Sequence, residues 1–120
     1  MSDWPRPVVA FQIHATDKAK QAAFYGAMFD WDITEREGLP ILTIPPGKGP
    51  PEEGIGGILA EGDRAPAVSL FIQVANLADS LTKAEELGGR AVMQPFDVPN
   101  GPTIAQIEDP VGNLIGLIQM

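Results

Sequence analysis

The period of apolar and polar positions changes several times along this chain, and each change marks an element. From Pro7 to Ala15 (PVVAFQIHA), Val9, Phe11 and Ile13 alternate with Ala10, Gln12 and His14. A period of two among β-forming residues predicts a strand with one apolar and one mixed face. Thr16 and Asp17 then offer an N-cap. Between Lys18 and Phe29 the pairs Phe24–Met28 and Tyr25–Phe29 fall four residues apart among alanines, which predicts a helix. Strands are expected at Trp31–Glu35, Leu39–Ile44 and Ile55–Ala60, with a Gly- and Pro-rich loop, Pro45–Gly54, before the last of them. The turn-rich segment EGDRAP, Glu61–Pro66, is a joint at mid-chain.

After the joint the same order returns. Val68–Val74 (VSLFIQV) reads as a strand. Asn76 caps a helix to Leu87, with Asp79 at the capping-box position and Leu77, Leu81, Ala84 and Leu87 as its apolar stripe. Gly88-Gly89 stops it. Strands follow at Ala91–Asp97, Thr103–Glu108 and Leu114–Gln119, divided by Pro99-Asn100-Gly101 and by Asp109-Pro110-Val111-Gly112-Asn113. The reading is a single domain, residues 1–120, of two strand–helix–three-strand modules, about Pro7–Ala60 and Ala67–Met120. A ferredoxin-like domain with extra strands, or another α+β sheet with its helices on one face, would fit the same element order.

Alternation also sorts the strand faces. Val68, Leu70, Ile72 and Val74 form a wholly apolar set opposed by Ser69, Phe71 and Gln73, and Ile115 and Leu117 oppose Gly116 and Ile118. The apolar faces should take the helices, and the mixed faces suit a lined groove.

Composition narrows the functional classes. The 120 residues carry 8 Lys and Arg against 16 Asp and Glu, a net charge of −8. Such a surface repels phosphate backbones, so a nucleic-acid partner is not expected. With no Cys, disulfides, thiolate nucleophiles and zinc–thiolate sites are excluded. No apolar run approaches the length of a membrane span and the N-terminus has no signal-peptide pattern, so the expectation is a soluble, cytoplasmic protein without a membrane partner.

Candidate chemistry is sparse. His14 is the one histidine and could act as an acid or base near neutral pH, or be a hydrogen-bonded imidazole at a strand end. Gln12, Gln73 and Gln106 could bond a ligand, or be locally satisfied amides. Phe71, Met93, Phe96 and Trp31 could wall an apolar pocket, or be ordinary core. The pairs Glu52-Glu53 and Glu85-Glu86 read as solvated charge, and Glu108 as a solvent-facing residue beside a turn. The loop GKGPPEEG lacks the phosphate-loop pattern and reads as a flexible rim.

Three stretches carry a family resemblance: HATDKAKQAAFYGAMFDW (His14–Trp31), EELGGR (Glu85–Arg90) and EDPVGNLIGL (Glu108–Leu117). In this order they resemble the vicinal oxygen chelate superfamily, the glyoxalase/bleomycin-resistance/dioxygenase group. The resemblance implies an α+β fold of two paired βαβββ modules forming a half-open cup, commonly within a homodimer. It also implies ligand positions for a divalent metal, which fall here on Ala10, Ser69 and Gly116. A methyl group and a glycine offer no donor and a neutral hydroxyl is a poor one, so neither a metal nor another cofactor is expected. DPVGN itself is a turn with no catalytic role.

Three functional readings follow. The first is a protein that binds a small organic ligand without a metal, the cup being lined by Gln12, His14, Ser69, Phe71, Gln73, Met93 and Phe96. An acidic cup would favour a cationic ligand. The second is a metal-independent lyase or isomerase with His14 as the candidate catalytic residue. The third is a non-catalytic partner or regulatory module, for which side chains would fill the cup.

Overall fold

A computed structural model of the chain describes residues 5–47 and 54–119. Its elements are β1 (Val8–Ala15), α1 (Lys18–Phe29), β2 (Thr34–Glu35), β3 (Ile41–Ile44), β4 (Gly57–Glu61), β5 (Ala67–Gln73), α2 (Leu77–Glu86), β6 (Arg90–Asp97), β7 (Thr103–Glu108) and β8 (Leu114–Gln119). The protein is thus α+β, with the βαβββ order occurring twice. Both helices begin where the caps predict. Lys20 N–H donates to Asp17 Oδ1 and Asp79 N–H to Asn76 Oδ1, each satisfying a donor that the first helical turn leaves open. The helices end at left-handed residues, Asp30 (φ 59°) and Gly88 (φ 96°). The first strand after α1 is shorter than expected: Trp31–Ile33 leave the sheet, and only Thr34 and Glu35 pair.

Contacts divide the chain into two compact units, Ala10–Ser69 and Met1–Val9 with Leu70–Met120. In the first unit the strand order is β2-β3-β4-β1, with β1 and β4 parallel and the other pairs antiparallel. In the second it is β6-β7-β8-β5, with β5 and β8 parallel and the rest antiparallel. The two halves therefore share one topology as well as one element order.

Each unit buries the face that its alternation marks as apolar. In the first, Ile13, Ala15, Ile44 and Leu59 form the core, with Phe11, Ala22, Tyr25, Trp31, Ile33 and Leu42 against it. Trp31 stacks on Tyr25 at a centroid distance of 5.7 Å. It belongs to this helix-side packing, so of its two readings the structure takes ordinary core over pocket wall: Trp31 and Ile33 turn to the helix side instead of pairing. In the second unit Val74, Leu77, Leu81, Ala105 and Leu117 form the core. Val68 and Leu70 stay exposed, so the apolar set of β5 is covered only at Ile72 and Val74.

Local bonds extend one reading of an acidic residue and correct another. Glu85 is exposed, as solvated charge would be, and its Oε2 also accepts from Ala91 N–H at 2.7 Å, which ties the end of α2 to β6. Glu108 is half-buried and accepts from Arg90 Nη2 at 2.8 Å, so it is not simply solvent-facing. The proposed rim GKGPPEEG and Glu52-Glu53 lie, apart from Gly47 and Gly54, outside the described residues.

Candidate functional site

In a strand pair, directly opposed residues share a face. In the first unit this places Gln12 beside Ile58, His14 beside Ala60, and Thr43 and Ile41 beyond them, all on the face opposite α1. The face is apolar to mildly polar and carries one titratable group. His14 is 5 % exposed and Ser69 6 % exposed, and His14 Nε2 lies 2.8 Å from Ser69 Oγ. Fifty-five residues separate them in sequence, and the fold joins them by a buried hydrogen bond.

Burial, and secondarily the positive charge of Arg64, hold the His14 pKa below its ordinary 6.5. The ring is therefore neutral at pH 7, with one nitrogen donating and the other accepting. A neutral imidazole against a hydroxyl can accept a proton, relay one, or fix the polar end of a ligand.

The second unit presents Phe71 and Gln73 on β5, Gly116 and Ile118 on β8, and Gln106 and Ile104 on β7, again on the face away from its helix. Met93 opposes Gln106 and Phe96 opposes Ile104, so both join this face. Strict alternation would set these two residues on opposite faces, being three apart. Register shifts between Ala91 and Met93 and between Met93 and Phe96 each add a residue to β6 and bring both round. Phe71 is buried and its ring lies directly over Gly116: a Cβ at Gly116 would stand 2.4 Å from Phe71 Cδ1.

All seven sequence-derived candidates thus lie on faces turned away from the helices. Gln12, His14 and Ser69 belong to the first unit and Phe71, Gln73, Met93 and Phe96 to the second. Sequence reasoning had no place for Arg64, although it reaches His14 electrostatically from the mid-chain turn. It also omitted Ile58, Ala60 and Thr43, which alternation within β3 and β4 could have put on one face once the register was known.

A model of the glyoxalase-like domain matches residues 9–118. The chain belongs to the glyoxalase-like domain family. Solved structures agree on the fold of this glyoxalase-like protein. A glyoxalase/bleomycin resistance/dioxygenase superfamily member from Vibrio splendidus 12B01 superposes with TM-score 0.64 at 13 % identity, over 97 % of this chain and 100 % of that one. A methylmalonyl-CoA epimerase, in complex with methylmalonyl-CoA and NH4+, gives TM-score 0.65 at 14 % identity over 95 % and 94 %. The methylmalonyl-CoA epimerase of Mycobacterium tuberculosis gives 0.57 at 16 % identity over 95 % and 86 %. No curated protein sequence matches. The superfamily and its α+β architecture are therefore shown for this chain, as the motifs implied.

The metal that the superfamily implies finds no fitting donors at the three positions implied for it in this glyoxalase-like chain. Ala10 has only a methyl group, Ser69 is engaged with His14, and Gly116 has no side chain. The volume a Gly116 side chain would enter is held by the Phe71 ring. Among the described residues no three His, Asp or Glu side chains are grouped to hold an ion. Among the same residues no helix is long and apolar enough to cross a membrane.

Proposed function

We propose that this glyoxalase-like protein binds a small organic ligand without a metal, on the strand faces turned away from its helices, and that it does so as a cytoplasmic homodimer. The observation that carries the reading is the buried His14–Ser69 pair, a fixed polar point on a face otherwise lined by half-buried Ala10, Gln12, Ile58 and Ala60. Small-ligand sites combine this kind of apolar lining with a few placed polar groups. Phe71, Gln73, Met93 and Phe96 supply aromatic and thioether surface with an amide in the second unit. The neutral His14 and the positive field of Arg64 favour a neutral or anionic polar group at that point over the cation that net charge alone suggests.

A second reading, metal-independent isomerisation or elimination, is favoured by the same imidazole. A neutral His14 can take a proton from a carbon acid and return it. The fold shared with methylmalonyl-CoA epimerases is compatible with that chemistry.

The test is a thermal-shift screen of small organic compounds with chelator present throughout. A bound compound should raise the melting temperature of the wild-type protein. His14→Ala and Ser69→Ala should weaken that binding by about 0.5–1.5 kcal/mol each, a hydrogen bond's worth. Should a bound compound also turn over, His14→Ala would lower kcat far more than affinity under the second reading. Binding that appears only with added Zn²⁺, Ni²⁺, Mn²⁺ or Fe²⁺, or that both variants retain unchanged, refutes the proposal.

A further inference from the structure

The second unit has a cleft of about 430 Å³ on the helix side of its sheet, away from the face that carries Phe71 and Gln73. We propose that this cleft binds a small amphipathic anion, its acidic group held at Lys83 and its apolar body lying over Ala84, Leu87 and Ile107. The site is independent of the one discussed above.

Its floor is apolar and buried, formed by Val74 and Leu117 at 8 % and 5 % exposure. One wall is a single stripe along α2, since Asn76, Asp79, Lys83 and Leu87 succeed one another at spacings of three and four. At 1.5 Å per residue that stripe is about 16 Å long. The volume lies within the roughly 300–1,000 Å³ typical of small-molecule sites.

The stripe is graded. Its start, at Asn76, Asp79 and Ser80, is polar, and its far end is apolar, with Leu87 69 % exposed. Lys83 stands one turn before Leu87, next to Ala84, so a cation marks the boundary between the two zones. Asp79 stands one turn before Lys83 and repels a negative charge, so the anion is directed to the Leu87 side of the ammonium. Arg6 adds a second positive charge to the lining, although it is engaged in an interaction of its own. With Arg6 and Lys83 set against Asp79, the lining carries a net charge of +1 on a chain of net charge −8, and this local reversal of sign favours an anion. Greasiness and charge together describe an aliphatic carboxylate, whose body passes from Lys83 over Ala84 and Leu87 toward Ile107.

Decanoate, decanol and decyltrimethylammonium are titrated into the full-length protein while ¹⁵N–¹H spectra are recorded. Decanoate should bind saturably, with the largest shifts at the amides of Lys83, Leu87 and Ile107. Decanol should bind more weakly and the ammonium compound weakest. Lys83→Glu should lower decanoate affinity at least tenfold, and Asp79→Asn should raise it. Both positions are solvent-exposed, and Lys83→Gln, with a smaller loss expected, replaces Lys83→Glu if the latter fails to fold. The proposal is overturned if decanoate does not saturate, if its shifts centre on His14 and Ser69, if the three probes bind alike, or if the Lys83 variant keeps wild-type affinity.

Discussion

Replacing Gly116 by Ala tests the contact that closes the ligand position on β8. The added Cβ would sit 2.4 Å from Phe71 Cδ1, 2.5 Å from Cε1 and 3.0 Å from Cγ, well inside van der Waals contact. Gly116 and Phe71 are register partners in the parallel β8–β5 pair, so the backbone cannot separate them without disturbing the ladder. The ring must rotate or shift, and at 7 % exposure it has little room to do so. Overpacking of this kind costs about 1–3 kcal/mol. Near 120 residues that corresponds to a fall in Tm of roughly 3–15 °C. Phe71→Ala alone should cost about 3–5 kcal/mol through the cavity it leaves. The decisive measurement is the double-mutant cycle by urea denaturation followed by far-UV circular dichroism. With the ring gone the new methyl has space, so the double variant should be more stable than the two single effects predict, by about 0.5–3 kcal/mol. Gly57 is the internal contrast. A Cβ there would meet the backbone oxygen of Phe11 at 2.4 Å as well as its ring at 2.8 Å, so Phe11→Ala should not rescue Gly57→Ala. Additivity at Gly116, or a Gly116→Ala protein as stable as the wild type, would show that the Phe71 ring does not impose the glycine.

Two further outcomes are expected. Asn76→Ala removes the acceptor for Asp79 N–H and should destabilise the protein by about 0.5–2 kcal/mol in the same denaturation assay, whereas Asn76→Asp should keep most of the cap. The His14 pKa is lowered from 6.5 in the folded state, so as pH falls the unfolded imidazole takes up its proton first. The contribution of the neutral ring is therefore complete above pH 6.5 and is lost as pH falls from 6.5 through the folded-state value. Stability measured from pH 8 to 5 should show this decline in the wild type and lack that component in His14→Gln; parallel curves for the two proteins would contradict it.

Much of this architecture is legible in local sequence, because the interactions that decide it are local. Asp17 and Asn76 announce helix starts, since a side-chain oxygen three residues before an open N–H needs no tertiary partner. Gly88 and Gly112 announce reversals through the positive φ they adopt. The period of two in β1, β5 and β8 assigns their faces correctly, which is why Gln12, His14, Ser69, Phe71 and Gln73 fall on the sides away from the helices. The motifs His14–Trp31 and Glu108–Leu117 carry the family.

The remaining features depend on segments that meet only in the folded chain. Met93 and Phe96 share a face because β6 slips twice against β7, and a slip is a property of two strands, invisible in either alone. Trp31 joins the helix-side core because Tyr25 offers it a stacking partner across the end of α1, against the β-propensity of its own segment. The reason for Gly116 lies in Phe71, 45 positions away, whose ring fills the space that a side chain would need. His14 acquires its partner Ser69 and its depressed pKa only when two strands distant in sequence bring burial, a hydroxyl and the charge of Arg64 to one imidazole. Period and capping are written within a few residues, whereas register, burial and electrostatic neighbourhood exist only between segments that the folded chain brings together.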